Sequence, residues 1–93
     1  MFIRATMLQS IQPIEEAFAS FSGSEREEML KNSKAKQQHL IRTGDNTGMV
    51  VAIYETEEDA AWEQRYNSVR EYWINNGGIG AWPVDGPVVW SMN

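Results

Sequence analysis

The sequence predicts an α+β domain in which a four-stranded antiparallel sheet carries both of its helices on one face. Three observations lead there. Apolar residues recur with period two in four short segments and at helical spacing in two longer ones. The six segments follow one another as strand, helix, strand, strand, helix, strand. The chain has 93 residues, 42% hydrophobic and 11% aromatic, enough for one core and too few for two, so residues 1–93 are read as one domain.

Residues 2–9 read as the first strand, with Ile3, Ala5 and Met7 on one side and Phe2, Arg4, Thr6 and Leu8 on the other. Pro13 suits the first turn of a helix, where no N–H is needed, and Ile14, Ala17, Phe18 and Phe21 then form an apolar stripe. Ser22-Gly23 interrupts that helix. Ser24-Glu25-Arg26-Glu27 has the spacing of a capping box that restarts it, with Met29 and Leu30 as apolar anchors. Residues 37–43 read as the second strand, His39 and Ile41 on one face and Leu40 on the other.

Residues 44–48, with two Gly beside Asp and Asn, read as a turn, and residues 49–55 are the strongest strand of the chain. Thr56 is the natural N-cap of the next helix, and Glu57, Glu58 and Asp59 suit the positive end of its dipole. Trp62, Tyr66, Val69 and Trp73 fall on one continuous stripe, with Glu63, Gln64, Asn67, Arg70 and Glu71 on the wetter sides. Asn75-Asn76-Gly77-Gly78 ends the helix. Pro83, Gly86 and Pro87 read as loop punctuation, and residues 88–92 as the final strand. The order is the ferredoxin-like βαββαβ arrangement.

Composition excludes several classes of function. The net charge of −5 repels phosphate backbones, and the basic residues Lys31, Lys34 and Lys36 have no interleaved aromatics, so no nucleic-acid partner is expected. The absence of Cys removes disulfides, thiol catalysis and zinc–thiolate centres. Glu57, Glu58 and Asp59 are consecutive on a helix and diverge, so no metal site is expected from them. Gly77-Gly78-Ile79-Gly80 lacks the strand-before, helix-after setting of a phosphate loop. The sequence shows neither a signal-peptide pattern nor a membrane-spanning stretch, so a cytoplasmic protein without a membrane partner is expected.

Residues 49–55 carry apolar side chains on both faces: Met49, Val51 and Ile53 on one, Val50, Ala52 and Tyr54 on the other. A sheet with one wet face alternates apolar and polar residues instead. Helices can cover one face only, so the second calls for a partner, and a two-fold homodimer through the sheet face is the expected solution.

The run Met49-Val-Val-Ala-Ile-Tyr-Glu-Thr-Glu-Glu-Asp-Ala60, a strand leading into an acidic helix start, resembles the dimeric α+β barrel superfamily, in particular its antibiotic-biosynthesis-monooxygenase-like branch. The order of elements supports the resemblance over nearly the whole chain. It implies two sheets facing each other across a dimer. It also implies an apolar pocket in each subunit, between sheet and helices, for a small lipophilic or aromatic molecule. Some relatives are monooxygenases that use no separate cofactor, others degrade haem, and others isomerise or cyclise small metabolites. Haem-degrading relatives use an Asn on the first strand and a His on the second helix. Here the first strand has Thr6 and no Asn, and the second helix has no His, so no cofactor is expected.

Within that frame, Met7, Phe18, Phe21, His39, Trp62, Tyr66 and Trp73 are the expected ligand-binding residues. His39, the only His, is the candidate general base; against this stands a structural His with no fixed carboxylate partner. The Trp62, Tyr66 and Trp73 stripe is equally what ordinary helix packing produces. Arg4, set among apolar residues, is expected to pair with one of the chain's 13 acids, the other reading being a bound carboxylate. The expected function is binding of a lipophilic ligand, fatty-acid-like or aromatic. The alternative is a cofactor-independent monooxygenase acting on a phenolic or polycyclic substrate.

Overall fold

The computed structural model describes residues 1–20 and 24–92, and the expected place of Phe21 and the capping box headed by Ser24 lie outside the described residues and side chains. The elements are β1 (Phe2–Gln9), α1 (Ile14–Ser20), α2 (Ser24–Lys31), β2 (Gln37–Arg42), β3 (Thr47–Tyr54), α3 (Glu57–Tyr66), α4 (Val69–Asn75) and β4 (Gly80–Pro87). The strands form one antiparallel sheet in the order β2-β3-β1-β4. With the helices on one face, this is the ferredoxin-like βαββαβ arrangement, each helical layer being divided in two.

Alternation along the strands decides which face meets the helices. Phe2, Arg4, Thr6 and Leu8 of β1 and Gly48, Val50, Ala52 and Tyr54 of β3 are buried. Two apolar clusters fill the space beneath the helices, one of Leu8, Ile14, Ala17, Val50, Trp73 and Ala81, the other of Phe2, Ala52, Tyr54 and Ala60. Removing such side chains from water, at roughly 25 cal/mol per Å² of apolar surface, is the main force holding helices to sheet. Gly48 belongs to β3 and not to the expected turn. A Cβ there would lie 2.9 Å from Ile14 Cγ1, so its missing side chain is what lets α1 settle on the sheet.

Residues 88–92 do not form the final strand. That strand is β4, which contains Pro83 and Pro87. Because β4 is at the sheet edge and pairs only with β1, a proline that lacks an N–H need not break a ladder. The segment that follows is held by the Val88 amide donating to Met1 O at 2.9 Å, while Val89 is 91% exposed.

The expected single helix with a continuous aromatic stripe is two helices. Thr56 caps α3 as its sequence requires, its hydroxyl accepting from the Asp59 N–H at 3.1 Å. Asn67 then leaves helical geometry (φ −150°, ψ 48°), and Ser68 caps α4 by accepting from the Glu71 N–H at 3.2 Å. The break changes the phase. Ala60 and Glu63 are the buried residues of α3, whereas Trp62 and Tyr66 are exposed and lie against each other with ring centroids 5.6 Å apart. Gly77, at φ +98°, ends the α4 turn in the left-handed region.

The outer sheet face carries Ile3, Ala5 and Met7 of β1, Met49, Val51 and Ile53 of β3, His39 and Ile41 of β2, and Trp82 and Val84 of β4, as the register requires. Ile41, Trp82 and Val84 are exposed. No helix among the described residues is long and apolar enough to cross a membrane.

Candidate functional site

A cavity of about 260 Å³ lies between the sheet and helices α1, α2 and α4. Leu8, Leu40 and Val50 reach it from the sheet, Phe18 from α1, Met29 and Leu30 from α2, and Val69, Tyr72 and Trp73 from α4. Its walls follow from the local folding just described. The α3–α4 break rotates Val69 and Trp73 inward, and the turn that ends α4 brings Gly78 against the Trp73 ring, where a Cβ would collide with it. The Trp73 indole N–H donates to Gln9 O at 3.0 Å, which ties the wall to the end of β1. Arg26 and Gln38 also line the space, and Gln38 is engaged through its side-chain N–H donating to Ser33 Oγ at 2.7 Å.

Of the residues expected at the site, Phe18 and Trp73 line this cavity. His39 borders it as well, but it stands opposite Val51 in the β2–β3 ladder, so its side chain shares the outer face with Val51 and the strand itself meets the cavity. Its ring is exposed, with Nε2 3.3 Å from Gln37 Oε1. Met7 is on the outer face beside Met49 and Trp82. Trp62 and Tyr66 are outside the cavity on the exposed side of α3, each beneath a cation: Lys34 Nζ lies 4.9 Å from the Trp62 ring centre, and the Arg65 guanidinium 5.3 Å from that of Tyr66. Phe21 is not among the described residues.

Most of the other lining residues, among them Tyr72 of α4 and all three from α2, are not marked by the sequence as site residues. In the sequence Met29 and Leu30 stand only as anchors, and Arg26 only as part of a cap. A helix that folds back over a sheet edge leaves no spacing signal for which of its residues meets the cavity.

A second, polar space of about 40 Å³ adjoins the first, the two sharing Val50 and Val69; at that size it has room for roughly one to a few water molecules. Arg4, Thr6, Tyr54, Glu63 and Asn67 border it. All three guanidinium nitrogens of Arg4 are engaged: Nε pairs with Asp85 Oδ2 at 3.0 Å, one terminal nitrogen donates to Ala60 O at 2.9 Å, and the other to Gln64 Oε1 at 3.2 Å. The expected protein carboxylate is therefore Asp85, directly across the β1–β4 ladder. Buried Glu63 accepts the Tyr54 O–H on one oxygen and the Lys34 N–H, at 2.7 Å, on the other. Burial first, then the hydrogen bond and charge of Glu63, push the Tyr54 phenol above its ordinary range. With its donors and acceptors paired internally, this cluster braces α3 against the sheet.

The described residues contain no group of His, Asp and Glu able to hold a metal ion. The chain's single His turns its ring to the other face of the sheet and does not point into the cavity.

No protein-family model matches the chain, and no curated protein matches it. Solved structures do. A Nitrosomonas europaea protein, provisionally assigned as an antibiotic biosynthesis monooxygenase, superimposes with a TM-score of 0.68 at 12% identity, covering 97% of this chain and 100% of its own. A monooxygenase from the ActVA-Orf6 gene of Streptomyces coelicolor, in complex with nanaomycin D, does so at 0.67 and 16% identity, covering 99% and 90%. A variant of MhuD with two manganese protoporphyrin IX molecules per active site does so at 0.65 and 14% identity, covering 100% and 99%. At these identities the likeness is one of architecture: the chain has the ferredoxin-like α+β fold of the antibiotic-biosynthesis-monooxygenase-like proteins.

Proposed function

We propose that this protein binds a small lipophilic molecule, aromatic or fatty-acid-like, in the cavity beneath α1, α2 and α4. One observation carries the reading: about 260 Å³ of space walled by Leu8, Phe18, Met29, Val50 and Trp73, in a chain too small to leave such a volume open without cost. Buried polar networks and apolar cavities serve different ends, and here they are separated by Val50 and Val69. Drug-sized sites begin near 300 Å³, so the occupant is compact, on the order of a fused bicyclic ring or a medium-length chain.

The working unit is a homodimer closed through the outer sheet face. Ile3, Met7, Ile41, Met49, Val51, Trp82 and Val84 make that face apolar across all four strands, more than a soluble monomer ordinarily leaves uncovered.

Isothermal titration with 2-naphthalenemethanol tests the cavity. One molecule should bind per chain, and Val69→Phe, which fills the space, should weaken binding at least tenfold with little effect on folding. Absence of binding to neutral and charged bicyclic compounds alike, with native mass spectrometry of freshly purified protein also showing no bound compound, would overturn the reading.

A second reading is a cofactor-independent monooxygenase on a phenolic or polycyclic substrate. It is favoured by the shared architecture with the nanaomycin D complex. Oxygen consumption over a panel of hydroquinones decides it: uptake that Val69→Phe suppresses supports the reading, and none above the uncatalysed rate removes it.

A further inference from the structure

Arg26 is the one formally charged residue among those described as lining the apolar cavity. Its guanidinium lies 4.8 Å from the centre of the Phe18 ring, which is itself a cavity wall. Among the described residues, the Arg26 side chain makes no ion pair and no hydrogen bond. This is unusual in a chain with 13 acids, and it contrasts with Arg4, each of whose guanidinium nitrogens is bonded to a protein group.

Its own helix explains the vacancy. Positions three and four residues on, which share a helix face with Arg26, are Met29 and Leu30, and both also line the cavity. Glu27 and Glu28 are one and two residues away and point elsewhere. The face of α2 that meets the cavity therefore holds two apolar side chains and one cation, with no acid in the phase to neutralise it. Guanidinium suits this setting, being weakly hydrated, able to rest on an aromatic face, and shaped to take both oxygens of a carboxylate.

We propose that the cavity's ligand is a lipophilic carboxylic acid, its carboxylate paired with Arg26 and its hydrocarbon part enclosed by Leu8, Phe18, Val50 and Trp73. The proposal rests on the lipophilic-cavity reading and narrows it to an anion. An acidic protein repels anions in general, so an unpaired arginine at the rim of an oily space supplies the local exception.

The test compares matched pairs by isothermal titration: 2-naphthoate against 2-naphthalenemethanol, and decanoate against decanol, at neutral pH and low salt. In the wild type each acid should bind about tenfold or more tightly than its alcohol, the usual worth of a charge-assisted hydrogen bond that is partly shielded from water. Arg26→Met, which keeps the apolar stem, should abolish the preference and bring acid and alcohol to equal affinity. Arg26→Lys should keep part of the preference. Equal binding of acid and alcohol by the wild type, or a preference that survives Arg26→Met, would overturn the proposal while leaving the cavity reading in place, because the alcohol still binds. If neither member of a pair binds, both fail. The wild-type comparison needs no variant, so a poorly folded substitution does not decide the result.

Discussion

The Tyr54 hydroxyl donates to a carboxylate oxygen of Glu63, nine residues further along the chain, and both side chains are buried between β3 and α3. The other Glu63 oxygen holds the amide of Lys34 at 2.7 Å. One carboxylate thus joins three pieces of chain: the strand that centres the inner face, the helix above it, and the connection from α2 to β2. Truncating it leaves two donors without acceptors. Glu63→Ala should cost about 3 kcal/mol of stability, and Glu63→Gln, whose carbonyl still accepts one of the two, about half as much. Urea unfolding midpoints measure both; equal losses would show that the hydrogen bonds are not the source.

The same pair sets an alkaline limit. The Tyr54 phenol holds its proton more tightly in the folded chain than in the unfolded one. The stabilisation is complete below the unfolded value of about 10 and is lost as pH rises beyond it, because the unfolded state then releases a proton that the folded state retains. Stability should therefore fall above pH 10 more steeply in the wild type than in Tyr54→Phe, read as melting temperature at a series of pH values. Parallel profiles would remove Tyr54 as the cause.

Trp73 is a wall of the cavity and a member of the main core cluster. Trp73→Ala should destabilise the protein by about 4 kcal/mol, through lost burial and an enlarged space. Trp73→Phe should lose less, about 1–2 kcal/mol, since it removes the N–H to Gln9 O but keeps a ring. Gly78→Ala should displace the indole, so a blue or red shift in tryptophan emission accompanies its loss of stability.

The outer sheet face gives a prediction about assembly. Val51 stands between Ala5 and His39 in the two ladders that flank β3. Val51→Asp places a charge in the middle of the apolar surface. Sedimentation should give a dimer for the wild type and a monomer for the variant, with unchanged far-ultraviolet circular dichroism. A wild-type monomer at micromolar concentration would remove the dimer.

Which residues share a strand face was readable because a period of two leaves little freedom, but which face meets the helices was not, since both carry apolar residues: once Phe2, Leu8, Val50 and Tyr54 face inward, their neighbours must face out. Local signals mislead where tertiary position outranks them. Pro83 and Pro87 punctuate most chains, yet an edge strand tolerates them. Trp62 and Tyr66 fit a helical stripe, but Ser68 with Glu71 three residues later is a cap inside that stretch, and the signal was present in the letters Ser-Val-Arg-Glu. That cap shifts the helical phase, so Glu63, which an unbroken helix would leave on the wet side, is among the most buried residues. Arg26 had no readable mark, since its place depends on how α2 returns across the sheet.

The position of β1 between β3 and β4 has a consequence for how the molecule comes together. Phe2 ends up beside Pro87, so the earliest strand cannot complete its hydrogen bonding until the latest one exists. During synthesis the β2–β3 hairpin can form from neighbours, whereas one edge of β1 waits exposed through most of the chain's emergence. In that interval the edge is open to pairing with strands of other nascent chains, so yield during overproduction should depend on synthesis rate and temperature more than final stability suggests.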